Sequence, residues 1–186
     1  WDRIFLARHL AGCDRRYSYR FLFAPGTIGA ITWLSRNRDR LHHVKHGLVL
    51  ALLGDPGPST YKRSRHGHAE IDRAALHVLE HSGQKYEVRD FSPIGYDERQ
   101  FGSPGVNLPV GCLMRTPPDR LPEYHTSADN LDLIHPDNLA DSLDKCVAAL
   151  QILEQNRCYQ NLKPYGEPQL GRQGLYQGHG REPRNA

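Results

Sequence analysis

A chain of 186 residues with 38% hydrophobic content is long enough for one sizeable core, and its 17 glycines and 13 prolines predict many loops. The formal net charge of +3 is mild and the basic residues are spread along the chain, so charge does not indicate nucleic-acid binding. The sequence shows neither a signal-peptide pattern nor an apolar run near the roughly 18 residues of a membrane span, and it therefore predicts a soluble, cytoplasmic protein without a membrane partner.

The first part of the sequence predicts two helices and two strands. Residues 1–10 are typical of the end of a helix, residues 17–23 have the aromatic and apolar content of a strand, and residues 27–35 fit a short helix. Residues 46–53 are a near-continuous apolar run, which is typical of a parallel strand buried on both faces. Helix and strand therefore alternate from the beginning.

The alternation continues in the second part of the sequence. Residues 68–81 have the spacing of an amphipathic helix that ends at Gly83, and residues 85–91 indicate a more peripheral strand. Residues 107–114 predict a short buried strand between a turn and two prolines. Pro136 fits the first position of the last helix, whose apolar stripe is expected to pack across the sheet. The stripe consists of Leu139, Leu143, Cys146, Val147, Leu150 and Leu153.

The pattern of elements predicts an α/β fold with a parallel or mixed sheet covered by helices. We expect a single domain over residues 1–161. Residues 162–186 are rich in Gly, Pro, Arg and Gln and contain few core residues, so they predict an extended or disordered tail.

Two polar segments, residues 95–101 and 124–130, bracket the strand predicted at residues 107–114. Because functional sites are often built on loops that strands hold in place, these segments are the first candidates for a site. His125 is followed four residues later by Asp129, which suits a metal ligand whose second ring nitrogen is held by a carboxylate. The spacing alone also fits a surface histidine before an aspartate that starts a turn, so both interpretations stay open.

The densest basic segment is residues 61–68, which precede a predicted helix and include Arg63 and Arg65. These side chains suit an anionic group, such as a substrate carboxylate, at the N-terminus of the helix. A solvated loop is one alternative. Packing of the basic side chains against Asp97 or Glu98 is another.

Two long segments, GYDERQFGSPGVNLPVGCLMR and then YHTSADNLD, resemble a bacterial family of aminopeptidase-like domain proteins related to the zinc-dependent, di-metal aminopeptidases. The resemblance continues through YRFLFAPGTIGAI, HGLVLALLGDPG, TYKRSRHGHAEIDRA and GEPQLGRQGLY, so it covers nearly the whole chain. It implies a three-layer α/β/α fold with a mostly parallel or mixed sheet. It also implies one or two zinc ions, and a peptide or an aminoacyl small molecule as substrate.

The resemblance assigns roles to individual residues. His125 looks like the last histidine ligand of the metal pair, and Asp129 is expected to orient its ring. Asp55 follows an apolar strand where the family has a metal-binding aspartate, although a turn aspartate before Pro56 fits the sequence equally well. Asp97 resembles the aspartate of a Gly-Ser-Asp motif that lies near the metals.

The chain departs from this family at Gly26 and Thr27, where such peptidases have an adjacent pair of glutamates. Neither residue supplies a base, and a zinc-bound water needs a proton acceptor within hydrogen-bond reach. One possibility is that Glu98 or another carboxylate substitutes as the base, with Asp97 and Arg99 beside it at the substrate end. The other is that the fold binds a ligand and does not hydrolyse it.

A second departure concerns the beginning of the chain, which starts at Trp1 without methionine and lacks the first histidine and the bridging aspartate of the resembled family. We therefore expect the C-terminal half of a larger domain, incomplete at its N-terminus. The leading hypothesis is a zinc metallopeptidase-like hydrolase domain acting on peptide or related amide bonds. The alternatives are a non-catalytic binding or regulatory module on a peptidase fold, and a truncated fragment.

Overall fold

The structure, a computed structural model, describes residues 2–162, 164–166, 171 and 174–175, without the side chains of Asp2 and Arg3. Five α-helices and four strands lie in this part of the chain. In chain order they are α1 Asp2–Ala11, α2 Ile28–Arg36, β1 Gly47–Leu50, β2 Ser59–Lys62, α3 Glu70–His81, β3 Tyr86–Arg89, α4 Glu98–Phe101, β4 Val110–Met114 and α5 Pro136–Gln155. Short 3-10 helices occupy Arg38–His43, Pro118–Arg120 and Leu131–Leu133.

The four strands form one mixed sheet in the order β1-β4-β2-β3. Strand β4 pairs parallel with β1, with Leu48 opposite Gly111, and antiparallel with β2, with Tyr61 opposite Leu113. Strands β2 and β3 are parallel. The mixed sheet with its helices confirms the predicted α/β class.

The core lies on both faces of the sheet. Along β1, Leu48 and Leu50 belong to a cluster with residues of α1, α3 and α5, whereas Val49 packs in a second cluster with Leu34 of α2. Successive residues of a strand point to opposite faces, so one helix layer lies on each side. This arrangement explains the near-continuous apolar run at residues 46–53.

The amphipathic helices were predicted correctly. In α3, Ile71, Ala75 and Leu79 are buried, and Gly83 follows the helix with a φ of 69°. In α5, Pro136 occupies the first turn as expected. The apolar stripe of α5 faces the core, where Cys146 and Leu153 are buried and Leu139, Leu143, Val147 and Leu150 are partly buried.

The strand predicted at residues 17–23 is wrong, because the structure has no strand there. The backbone amides of Arg16 and Tyr17 donate to the carboxylate of Glu154, at 2.6 and 3.2 Å, and the Tyr19 hydroxyl donates to the same carboxylate at 2.7 Å. Tyr19 and Phe21 pack on the main core cluster. The aromatic content of the segment therefore reflects docking onto the end of α5.

Strand β2 was not predicted, although all four of its residues are buried. Its sequence is polar, and each long side chain reaches a partner distant in sequence. The Tyr61 hydroxyl donates to Asp72 at 2.9 Å, and the Lys62 ammonium contacts Glu98 at 2.8 Å. The beginning of the basic segment at residues 61–68 is thus a buried strand, which corrects the solvated-loop interpretation for these two residues.

The chain divides into a unit of residues 1–156 and a unit of residues 157–186. In the second unit Tyr159, Leu162 and Tyr165 are exposed. Most of the tail predicted at residues 162–186 lies outside the described residues, and the predicted domain boundary at residue 161 stays a prediction. Within the part of the chain that the structure describes, no helix has the length and apolar content to cross a membrane.

Candidate functional site

The turn before α2 is strained at Thr27. The Ile28 amide donates to the Gly26 carbonyl at 2.7 Å, which closes a γ-turn around Thr27 with φ 62° and ψ −64°. A γ-turn of this hand is rare for a residue with a side chain, and strain of this kind concentrates at functional sites. This is the turn that the resemblance was expected to match with the glutamate pair of the aminopeptidases.

Two residues of the polar segment at 95–101 meet Thr27. The Thr27 amide donates to Asp97 Oδ1 at 2.6 Å, and Arg99 Nη2 donates to Thr27 Oγ1 at 3.2 Å. Thr27, Asp97 and Arg99 are called the Thr27 cluster below. The structure therefore brings together two of the predicted site residues and the turn that lacks its glutamates.

The Thr27 cluster has unused hydrogen-bonding capacity. Among the described residues, no donor reaches the second carboxylate oxygen of Asp97, and Arg99 Nε is buried without an acceptor. A Cβ atom built on Gly26 would meet nothing within 4 Å, so there is open space beside the turn. The cluster thus has an anionic acceptor beside an exposed turn, and a guanidinium whose Nε is buried and unpaired.

Glu98, the predicted substitute base, points into the interior. It is fully buried, and its Oε1 atom lies 2.8 Å from the Lys62 ammonium. Lys62 also donates to the Ser92 and Ile94 carbonyls. A carboxylate that is closed off from solvent and paired with an ammonium is poorly placed to accept a proton from water.

Asp55 lies where the strands β1 and β4 end. Only 2% of its surface is exposed, and its carboxylate accepts hydrogen bonds from the Gly57 amide at 2.9 Å and from the Thr116 amide and hydroxyl. Because β1 and β4 are parallel, their carboxyl ends lie at the same edge of the sheet. This geometry is typical of an aspartate that stabilises a turn, which was one of the two interpretations of the sequence. A metal-binding role for Asp55 stays a prediction.

His125 and Asp129 are both exposed. The His125 ring stacks on Tyr124 with 3.9 Å between centroids, and the residue has a φ of 60°. Within residues 2–162, no hydrogen bond joins the His125 ring to Asp129. The metal role of His125 and the orienting role of Asp129 therefore stay predictions.

The two polar segments approach each other at a pair of tyrosines. Burial, and then the neighbouring Tyr124 hydroxyl, raise the pKa of Tyr96 above its ordinary value. Tyr124 precedes His125, and Tyr96 precedes Asp97. The two loops therefore lie near each other at these tyrosines, although the buried Tyr96 hydroxyl makes no hydrogen bond within the described residues.

Arg63 and Arg65 are anchored by backbone carbonyls. Arg63 Nη1 donates to Gly67 at 2.9 Å, and Arg65 Nη1 donates to Gly102 at 3.3 Å. In the described residues neither side chain contacts Asp97 or Glu98, so the predicted packing against these carboxylates is not observed. A substrate-binding role for the two arginines stays a prediction.

A family model described as a domain of unknown function, DUF4910, matches residues 3–156. The chain belongs to the DUF4910 family. The match covers α1 to α5 and therefore all the secondary-structure elements described above.

The DUF4910 chain is similar to proteins that connect it with aminopeptidases. A Clostridium acetobutylicum protein named for polysaccharide biosynthesis and an aminopeptidase-like domain is 54% identical over 172 residues, which is 92% of this chain and 39% of that protein. A solved C. acetobutylicum structure, described as a peptidase candidate, is 52% identical with a TM-score of 0.84, covering 92% of this chain and 40% of that one. The chain thus spans about two fifths of each relative.

A zinc aminopeptidase from Bacillus subtilis has the same fold. It superposes with a TM-score of 0.71 at 15% identity, covering 85% of this chain and 41% of that one. The resemblance to aminopeptidase-like domain proteins and the α/β fold that it implied are confirmed.

The described residues of the DUF4910 chain do not fit a zinc ion. They contain no group of three or more His, Cys, Asp or Glu side chains that could hold a metal. Protein zinc sites need at least three such ligands. The carboxylate of Asp55 is already bonded to Thr116, and Gly26 has no side chain to bind a metal.

Proposed function

We propose that this chain is the part of an aminopeptidase-like domain that binds the N-terminal end of a peptide or a related aminoacyl compound, without hydrolysing it. The Thr27 cluster supports this proposal, because it combines one carboxylate and one guanidinium beside an open volume. Relatives named for aminopeptidase-like domains make a peptide the preferred ligand.

The chemistry of the cluster matches a free peptide N-terminus. The second oxygen of Asp97 is positioned to accept a hydrogen bond from an α-ammonium group, and the partly exposed guanidinium of Arg99 suits a peptide carbonyl. A hydrogen bond to a charged group contributes about 1.5–3 kcal/mol. Recognition by these two groups gives weak but selective binding.

The absence of hydrolysis follows from the same part of the structure. Gly26 supplies no proton acceptor, and Glu98 is buried in its ion pair with Lys62. A peptidase needs a carboxylate or an imidazole within reach of the attacking water. These observations support binding without hydrolysis.

The zinc hydrolase is the second candidate, and it requires residues outside this sequence. In that case His125 and Asp55 hold one or two zinc ions together with ligands from the rest of a longer protein, and Asp129 orients His125. The buried position of Asp55 at the carboxyl ends of two parallel strands favours this candidate. Arg63 and Arg65 then bind the substrate, and the cytoplasmic location predicted from the sequence applies to either candidate.

Peptide binding is tested by isothermal titration with the tripeptide Leu-Gly-Gly and its N-acetylated form. We expect the acetylated peptide to bind about tenfold more weakly or worse, because it lacks the ammonium group that Asp97 recognises. Asp97→Asn keeps an acceptor for the Thr27 amide and removes the charge, so it is expected to abolish this preference. Asp132→Asn, at an exposed site, is the matched control and retains it. Equal binding of both peptides by the unmodified chain would overturn the proposal.

Zinc content tests whether the residues of this chain assemble a metal site by themselves. After dialysis, elemental analysis of the chain is expected to find about 0.1 zinc ion per chain or less, with no change in His125→Ala, because fewer than three ligands are assembled. Near-stoichiometric zinc that is lost in His125→Ala would instead support the hydrolase candidate. Hydrolysis of leucine p-nitroanilide, measured in the same samples, is expected to be absent.

A further inference from the structure

The ammonium group of Lys62 is enclosed by the segment between β3 and α4. Lys62 is the last residue of β2, and only 4% of its surface is exposed. Its Nζ atom donates to Glu98 Oε1 at 2.8 Å, to the Ser92 carbonyl at 2.8 Å and to the Ile94 carbonyl at 2.6 Å. A lysine has three N–H donors, so all of them are used within one short loop.

Gly95 allows this loop to close over the ion pair. Its φ of 149° lies in a region that residues with side chains rarely adopt. A Cβ atom at this position would lie 2.8 Å from Lys62 Nζ and would collide with the carboxylate of Glu98. The ring of Phe91 adds a cation–π contact, with its centroid 5.5 Å from Nζ. The loop is therefore shaped around the buried ammonium.

The residues on either side of Glu98 are those that reach Thr27. Asp97 accepts from the Thr27 amide and Arg99 donates to the Thr27 hydroxyl, while Glu98 between them is held in the interior. All three lie at the beginning of the one-turn helix α4. Glu98 is thus the buried residue between the two residues that contact Thr27.

We propose that Lys62 is the positioning residue of the Thr27 cluster, and that its buried ion pair with Glu98 holds Asp97 and Arg99 against Thr27. Any effect of this ion pair on ligand binding rests on the proposed function. A buried ion pair often contributes little net stability compared with apolar side chains of similar size, but it can select a single arrangement. In this chain it selects the arrangement of the loop that precedes α4.

The proposal is tested by hydrogen exchange at single amides in Lys62→Met and Gly95→Ala. The Thr27 amide reports on the cluster, and the Arg115 amide, which donates to the Leu52 carbonyl at 2.9 Å, reports on the sheet. Both variants are expected to speed Thr27 exchange at least roughly tenfold more than Arg115 exchange. Lys62→Arg, which keeps the charge, is expected to restore part of the protection.

Leu153→Ala is the matched control, because it destabilises the core away from the loop. It is expected to speed exchange at Thr27 and Arg115 by similar factors. If Lys62→Met and Gly95→Ala also speed exchange at Thr27 and Arg115 by similar factors, Lys62 has only a general structural role and the proposal is wrong. Should Lys62→Met fail to fold, Gly95→Ala decides alone, because it retains both charges.

The same variants separate this proposal from the proposed function. In one outcome, Thr27 exchange responds as expected, but the unmodified chain binds the free tripeptide no better than its acetylated form. Lys62 then positions the cluster, and the peptide-binding proposal is wrong. In the other outcome, the chain prefers the free tripeptide, but the variants speed exchange at Thr27 and Arg115 by similar factors. The binding proposal then stands, and the positioning role of Lys62 is rejected.

Discussion

Asp72→Ala is expected to lower the free energy of unfolding by about 4 kcal/mol. Asp72 is fully buried, and its carboxylate accepts hydrogen bonds from the Tyr61 hydroxyl at 2.9 Å, from the Ser64 amide and hydroxyl at 2.7 and 2.6 Å, and from the Ala69 amide at 2.9 Å. Alanine would leave these donors without an acceptor. Each buried donor that loses its acceptor costs about 1–3 kcal/mol, and partial relaxation reduces the sum.

Urea unfolding followed by circular dichroism measures this effect. Asp72→Asn retains the shape and one acceptor oxygen, so we expect a smaller loss than for alanine. Glu80→Ala, on the exposed side of the same helix, is the control and is expected to change stability by about 0.5 kcal/mol or less. A loss below about 1 kcal/mol in Asp72→Ala would contradict the idea that this carboxylate ties β2 to the beginning of α3.

Asp141→Asn is expected to lower the free energy of unfolding by about 3 kcal/mol at pH 7. Asp141 Oδ2 binds Arg115 Nη1 at 2.7 Å and also the Lys145 ammonium. The side chains of Arg115 and Lys145 are only 8% and 6% exposed. Without the carboxylate, two buried cations would face each other with no anion between them. Asp144→Asn, at an exposed position on the same helix, is the control and is expected to have little effect.

The effect of Asp141 should depend on pH. Burial by itself raises the pKa of Asp141, but the hydrogen bonds from Lys145 and Arg115 outweigh it, so the net pKa lies below the ordinary value. The carboxylate therefore contributes stability above the unfolded-state pKa of about 4, and this contribution is lost as the pH falls through the lower folded-state value. Urea unfolding at several pH values is expected to show the difference between the unmodified chain and Asp141→Asn shrinking below about pH 4. A difference that stays constant down to pH 2 would assign the effect of the substitution to something other than charge.

Apolar patterns in the sequence predicted the helices that bury one face and the strand that is covered on both faces. The stripe of α5 and the run that contains β1 were recognised, because the side chains that enter the core there are apolar themselves. Strand β2 was missed for the opposite reason. Its Lys62 and Tyr61 become buried only through Glu98 and Asp72, and a local pattern does not reveal partners 36 and 11 residues away.

The sequence pointed to two loops around β4 as the place of a site. These loops lie near each other at Tyr96 and Tyr124, while the roles assigned to their residues stay predictions. The contacts of Thr27 with Asp97 and Arg99 were not predicted, since they depend on a γ-turn that no residue preference indicates for threonine. Gly95 was the one available sign of the buried ion pair next to these residues. A glycine can mark a place where the backbone closely approaches a buried group, here Lys62 and Glu98.

The position of β4 in the sheet has a consequence for synthesis of the chain. Among the four described strands, β4 is central, pairs with both β1 and β2, and is the last to be synthesised. Until β4 is made, β1 lacks the described strand that pairs with it, and β1 has no link to the pair formed by β2 and β3. Contacts between segments so distant in sequence form slowly. The edge of β1 that pairs with β4 therefore stays unpaired until β4 is synthesised, and an unpaired edge of an apolar strand favours aggregation.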